Sequence, residues 1–478
     1  MSDDLHKSHG GGAIPYESRR PPALPRTPPR PWRISETLCW MIILACVGFV
    51  SVRAAIGQLA RAGSDQVPTV QFPGVCKYAV AIKSLEAKAG VAGSAERLLP
   101  SLERIARTPG ERLRLAIVYG EVQGADAAAD RLAALQDPGN DPEFSQDLAE
   151  ARSIYALRTD HIPVPELPEG PGVPRFRQRL GWFADLALSH GRPDTDPVRQ
   201  NVLSAAYLAM GVTIGAEVLA LAMGAAGLVL LIIAIVLLAR KKIRLTFRAM
   251  LDSQAPRADG SAYLEGFTLY LVLMVGLSYL LRQLNAPILV AAVVELPLAF
   301  GAGLLWPLFR GQSVTQWRAS LGLHNGRGII REVFSGILGY LVGVPLMGIA
   351  LLVVLILTRV AGYTPTHPIE QELGSRSEIA FTFFLASVWA PVTEELMFRG
   401  ALFSSLRERF GWWFAAPAMA LIFAGVHPQG YVAVPVLAAI AVAFAGIREW
   451  RGSIIGSMAA HAMHNTGALV IVLFLMQS

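Results

Sequence analysis

Charge is scarce in this chain. Asp, Glu, Lys and Arg make up 16% of its 478 residues, where roughly 25% is usual for a soluble domain. Hydrophobic residues make up 53%. That balance excludes a chain disordered throughout and argues against an ordinary soluble enzyme. Cysteine is nearly absent. Cys39, Cys46 and Cys76 are odd in number and match no metal-ligand spacing, so neither a disulfide framework nor a zinc site is expected. Other signatures are missing as well. Without H-E-x-x-H there is no zinc protease motif of that type, and without G-x-S-x-G no serine nucleophile elbow. Without G-x-x-x-x-G-K-[ST], ATP-driven transport is not indicated. No cofactor is expected. The net charge of +6 fits the cytoplasmic loops of a membrane protein, and no nucleic-acid partner is expected.

What is present is a series of apolar runs. Residues 1–36 come first, a tail with seven prolines between Pro15 and Pro31 and with Arg19, Arg20, Arg26, Arg30 and Arg33 among them. Such a stretch cannot bury a core and is expected to be disordered and cytosolic. Residues 37–59 read as a transmembrane signal anchor. Ala60-Arg61-Ala62 faintly resembles a cleavage site, but the long basic start and Arg53 fit an uncleaved anchor better. Charges then return over 60–200. Heptad-like apolar spacing in Ala79–Arg107, Glu111–Gln136 and Pro142–Arg158 predicts antiparallel helices, separated by Thr108-Pro109-Gly110 and Asp137-Pro138-Gly139-Asn140. A proline-rich linker, Ile162 to Pro174, follows. Residues 203–478 are mostly membrane, with apolar runs near 212–239, 264–281, 286–309, 333–358, 379–402, 412–427, 431–447 and 453–476. Several reach the ~20 residues that cross ~30 Å of hydrocarbon. The runs at 412–427 and 431–447 are shorter, which predicts tilt or burial inside the bundle. The fold class expected is all-α and polytopic, with about nine transmembrane helices and an extracytoplasmic helical domain between the first and second.

Lys and Arg set the expected orientation. Arg240, Lys241, Lys242, Arg244 and Arg248, then Arg310, Arg318, Arg327 and Arg331, then Arg407 and Arg409, then Arg448 and Arg451 occupy alternate loops. The intervening loops carry only Arg282, Arg359 and Arg376. The positive-inside rule therefore predicts a cell-membrane protein with a cytosolic N-terminus and with the 60–200 domain and the C-terminus outside.

Ionisable residues inside spans are costly and mark function by default. The densest set is Glu394, Glu395 and Arg399, then His427, then His461, His464 and Asn465. Glu395 and Arg399 are i, i+4 and can pair, while Glu394 sits about 100° away on the helix and need not be consumed by that arginine. His461 and Asn465 share a face, and His464 lies about 60° from His461. Glu394 precedes the Phe410-Gly411 turn, and His427 follows it, by equal lengths of chain, roughly 24 Å at 1.5 Å per residue. All four polar groups can therefore converge in one pocket. A carboxylate beside an imidazole can bind and deprotonate water. A histidine–asparagine pair can donate hydrogen bonds to a developing oxyanion. Alone, the Glu–Arg pair would read as a structural bridge between helices and His427 as a helix-end residue; together they do not. Glu217 and Glu295 read as structural or interfacial, Phe423 as packing, and His464 as a packed residue.

The pattern Glu394-Glu395-Leu396-Met397-Phe398-Arg399, Phe423-Ala424-Gly425-Val426-His427 and His461-Ala462-Met463-His464-Asn465, on successive hydrophobic helices, resembles the CAAX protease and bacteriocin-processing family of intramembrane glutamic endopeptidases. Phe398-Arg399-Gly400 and Ser453-Ile454 add to it, and Leu321-Gly322-Leu323 is compatible with its core. The resemblance covers about 380–470. It implies water activation by Glu394 and His427, organisation of the site by Glu395 and Arg399, and oxyanion stabilisation by His461 and Asn465, without cofactor or metal. It also implies a membrane-associated peptide or protein substrate within the lipid membrane. The 60–200 domain lies outside the resemblance and is free to bind a protein partner. The alternatives from other classes are a transporter using the same residues as a proton relay, or a non-catalytic scaffold or immunity protein.

Overall fold

The computed structural model describes residues 34–62, 71–136, 141–159, 172–247, 260–286, 288–361 and 376–476. The tail up to residue 33, most of the proline-rich linker and the Asp137–Asn140 turn lie outside the described residues, as do Arg248 and the side chains of Glu295 and Arg376. Among the described residues the structure is helical, without strands, and it is a polytopic membrane protein.

The first helix, α1 (Glu36–Ala62), leads into a helical unit with a core of its own. That unit holds α2 (Phe72–Ala89), α3 (Leu99–Ile105), α4 (Pro109–Gln123), α5 (Ala125–Ala134), α6 (Pro142–Thr159), α7 (Val173–Leu180) and α8 (Trp182–Ser189). Two of the helices expected from the sequence are divided. The 79–107 segment breaks at Gly90, whose left-handed φ of 66° closes α2, before a short 3-10 turn and α3. The 111–136 segment breaks at Gly124, with φ of 106°. Apolar spacing continues through both breaks because all the pieces face one core. Thr108-Pro109-Gly110 starts a helix as well as ending one: Thr108 and Glu111 form a reciprocal cap, and Pro109 occupies the first turn.

The helix α9 (Pro197–Ala239) joins this unit to the bundle. Asp196 caps it by accepting from the N–H groups of Val198 and Arg199. Its 43 residues span roughly 64 Å at 1.5 Å each, so its first turns pack in the core of that unit through Val202, Leu203 and Ala206 and the rest is a span. The bundle continues with α10 (Gly260–Gln283), α11 (Ile288–Phe309), α12 (Val314–Leu321), α13 (Ile329–Ala361), α14 (Ser377–Arg409), α15 (Trp412–Gly425), α16 (Val434–Arg451) and α17 (Ile455–Met476). Among the described residues seven helices are long and apolar enough to cross a membrane; the apolar part of α11 (Pro297–Phe309) and α15 are shorter. The short α15 buries eight of its residues, as expected for a helix inside the bundle. Side chains such as Leu221 and Val360, 75% and 81% exposed, face outward where only lipid could cover them.

One end of the bundle is tied together by ion pairs. Glu265 at the start of α10 accepts from Arg310 beyond α11 at 2.8 Å and from the Trp306 indole at 2.9 Å. Glu332 in the first turn of α13 holds Arg451 of α16 at 2.9 and 2.6 Å. Arg407 of α14 grips Glu449 of α16 at 3.0 and 2.8 Å, and Arg409 pairs with Glu36 of α1. The ends of α1, α10, α11, α13, α14 and α16 therefore lie on one side, those the charge pattern groups together. Arg448, fully buried, donates to Ser320 O at 2.9 Å and packs its guanidinium on Phe247. Gly322 beside it has φ of 76°, and any side chain there would also strike that guanidinium.

Glu332 is fully buried, so Glu332→Ala would strand Arg451. The expected loss is about 3–5 kcal/mol, read as a lowered thermal unfolding midpoint in detergent. Arg331→Ala, at the neighbouring exposed position, should leave the midpoint unchanged.

Candidate active site

The polar residues of the last hundred positions come from three helices and one turn. Glu394 and Glu395 sit mid-way along α14, where the helix changes winding. Two π-helical stretches, Leu385–Trp389 and Glu395–Leu402, flank a single α-turn, Ala390–Glu394. Such insertions are rare and concentrate at functional sites. The first has a local cause. Ala390 N–H bonds Leu385 O, five residues back. The next bond in that register would need an N–H on Pro391, which has none. Ala386 O is thereby left for another donor, and the Asn465 amide of α17 supplies it at 2.8 Å.

The two glutamates have different environments. Glu395 is fully buried; its Oε1 lies 2.9 Å from Arg399 Nη1 and 3.0 Å from His461 Nδ1. Glu394 keeps a side chain 24% exposed, with Oε2 3.8 Å from His461 Nε2. The His461 ring thus stands between the carboxylates. Its Nδ1–H donates to Glu395, which turns Nε2 toward Glu394. Arg399 is fully buried too. Its guanidinium lies 4.7 Å from the centroid of Phe423 and 5.3 Å from that of Phe444, and it donates to Ala441 O at 3.2 Å. Aromatic faces stabilise a cation that water cannot reach.

His427 lies two residues past the end of α15, half-buried. A carbonyl oxygen only accepts, so Nδ1–H donates to Phe423 O at 2.6 Å and Nε2 is left as the free basic nitrogen. The Phe423 ring lies 4.4 Å from the ring of His427 and 6.4 Å from that of His461, and so joins the turn to the site. A cavity of about 540 Å³ between α1 and α10 is lined by Val426 and Pro428, the neighbours of His427. Helix α1 is held against this turn: Ser51 donates to Gly425 O at 2.8 Å, and a side chain at Gly425 would meet Val47.

The face of α17 that carries His461 and Asn465 is positioned by close backbone approach. Gly336 of α13 and Gly456 of α17 meet with no room for a Cβ. His464, on the neighbouring face, is bonded to the Tyr340 hydroxyl at 3.0 Å instead of joining the carboxylates. Phe423 sits at the centre of the cluster, and Phe444 stacks on both Arg399 and His461. Reading the sequence gave Phe423 a packing role only and passed over Phe444. The mid-span Pro391 was the one signal of altered winding.

Residues 376–467, which contain all six of these polar groups, match the family described as type II CAAX prenyl endopeptidase Rce1-like. This segment is similar to that family. The match does not extend to the helical unit before α9. No curated protein and no solved structure matches the chain. Within the CAAX-endopeptidase-like segment, Glu395, Arg399 and His461 form one buried polar unit and Glu394 is the carboxylate at its open edge.

Arg399→Ala would leave Glu395 buried without its cation, and about 3–5 kcal/mol should be lost. Adding Glu395→Leu to that variant should recover much of the loss. Thermal unfolding of the two variants in detergent measures the difference, and equal midpoints would show that the pair carries no coupling.

Proposed function

We propose that the chain is a membrane-embedded glutamic endopeptidase that cuts a membrane-associated peptide segment. The observation that carries this reading is the unequal treatment of the two glutamates: Glu395 is buried with its Oε1 against Arg399 and His461, and Glu394 is left partly open. Water held by Glu394 and the free Nε2 of His427 gives up a proton to this pair and attacks the scissile carbonyl carbon. The carbonyl oxygen becomes an oxyanion. His461, carrying a proton on Nε2 as well as on Nδ1, and the second N–H of the Asn465 amide, not used by Ala386, stabilise it. The proton then passes to the leaving amine as the C–N bond breaks. No covalent intermediate is needed, and the protein groups alone supply the chemistry. The cavity beside Val426 and Pro428 offers the substrate a route to His427.

The positive-inside pattern supports an orientation with the paired helix ends and Lys241 to Arg244 in the cytosol. The helical unit between α1 and α9, with its separate core, then stands outside as its own domain, available to a protein partner.

Glu394→Gln and Glu394→Ala should abolish processing, and His427→Asn should nearly do so. Asn465→Leu should slow it about 10²–10³-fold, the usual cost of one oxyanion donor. The readout is the set of membrane and secreted peptides that differ between wild type and a Glu394→Ala strain. Undiminished cleavage by a well-folded Glu394→Ala protein would sink the mechanism. Processing by the purified enzyme should also persist in EDTA; loss on chelation, restored by a metal, would replace glutamate–histidine activation with metal chemistry.

Orientation has its own test. Burial pushes the Cys76 thiol well above its ordinary range and keeps it inert. With Cys39 and Cys46 replaced by alanine, Asp126→Cys should react with an impermeant maleimide on intact cells. Thr315→Cys should react only after permeabilisation.

A further inference from the structure

We propose that a basic hollow at the ion-paired end of the bundle binds the phosphate-bearing headgroup of an anionic membrane lipid. The hollow has a volume of about 380 Å³ and lies between the chain leaving α9, the loop before α13 and the end of α16. Lys242, Arg244, Arg327 and Arg451 line it with Ile243, Thr246 and Trp450, and no acid among the described residues does. Its shape is set by the backbone. Lys241 takes a left-handed φ of 56° that turns the chain out of α9, and Gly326 and Gly328, at 54° and 113°, fold the loop that presents Arg327.

The charge is uneven. Arg451 is consumed by Glu332, and the same carboxylate accepts the Arg327 backbone N–H at 2.9 Å. Nothing comparable neutralises the side chains of Lys242, Arg244 and Arg327, which are exposed and make no ion pair among the described residues. Three cations around one hollow call for an anion with several acceptor oxygens.

Position selects a lipid over a free anion. Trp450 is half-buried under the Arg451 guanidinium, 5.0 Å from its ring centroid, the amphipathic placement of a residue at a membrane interface. Leu238, Ile329 and Ile330, on the helices that border the hollow, are 43%, 55% and 73% exposed. They form an aliphatic surface beside the cationic one, so a headgroup in the hollow leaves its acyl chains against α9 and α13.

The test is native mass spectrometry of the full-length protein in detergent, titrated separately with phosphatidylglycerol, phosphatidylcholine and inorganic phosphate. Wild type should retain phosphatidylglycerol in preference to phosphatidylcholine. The Lys242→Ala/Arg244→Ala/Arg327→Ala variant should bind phosphatidylglycerol about a hundredfold more weakly, at about fivefold per charge near a membrane surface. Arg318→Ala/Arg331→Ala, which removes two basic residues of the same side outside the hollow, should bind as wild type does. Lys242→Arg/Arg244→Lys/Arg327→Lys should keep the affinity and guards against a folding defect in the alanine variant. Equal binding by the alanine variant, equal loss in the control variant, or equal retention of phosphatidylcholine overturns the proposal. Displacement of phosphatidylglycerol by equimolar inorganic phosphate overturns the assignment to a lipid.

Discussion

The pairing of Glu395 with Arg399 is the constraint on which the rest of the site depends. Both side chains are fully buried in a helix that crosses the membrane. Neither charge could stay there without the other. The arginine is further enclosed by Phe423 and Phe444, and the glutamate by His461. Each enclosing residue comes from a different helix, α15, α16 and α17. Packing one ion pair therefore fixes three helices around α14. It also sets the two carboxylates apart: Glu395 already holds Arg399 and the His461 N–H. Its neighbour in sequence, turned about 100° away, is left to face the open edge.

A second set of ion pairs works at the end of the bundle. The hydrophobic effect gives little drive for helix association in lipid, so small-residue contacts and polar pairs carry more of the specificity. Gly336 against Gly456 sets how closely α17 approaches α13. Glu332 with Arg451 and Arg407 with Glu449 join α13 and α14 to α16, the helix whose Phe444 encloses Arg399. The same arginines that the positive-inside rule reads as topology signals thus also serve as structural clamps. Arg244 and Arg327 are not clamped and line the hollow near Trp450.

Much of the bundle was legible because the sequence separates its charges so sharply. Apolar runs located the helices, and alternation of Lys and Arg predicted which ends lie together. Isolated polar groups in apolar runs marked Glu395, Arg399 and His461, which the structure brings together. The helical unit was less legible inside its segments, because Gly90 and Gly124 interrupt helices without interrupting the apolar spacing that faces a common core. The winding of α14 was not legible at all. It depends jointly on Pro391, which lacks a donor, and on Asn465, seventy-odd residues later, which replaces it at Ala386 O. The position of His461 between two carboxylates is likewise set by a glycine contact between α13 and α17, which periodicity does not report. Phe444 carries no polar signal, and only packing reveals that it shields Arg399.

The family-matched segment does not enclose its own site. Cys39 and Ile43 of α1, Phe247 after α9, and Leu264, Phe267 and Leu271 of α10 share one buried cluster with Met397, Phe398, Phe403 and Phe423. The Phe267 ring lies 5.2 Å from that of Phe398, which in turn lies 5.0 Å from Phe423. From the other side, Ser51 holds the carbonyl of Gly425, two residues before His427. A helix that the charge pattern reads as a membrane anchor therefore also packs against the cluster that carries Phe423 and His427. Because α1 also leads into the helical unit, and α9 leads out of it into the bundle, that unit is attached at both ends to the body of the site. The helical unit thus keeps a core of its own, while α1, which precedes it in the chain, packs in the cluster around Phe423.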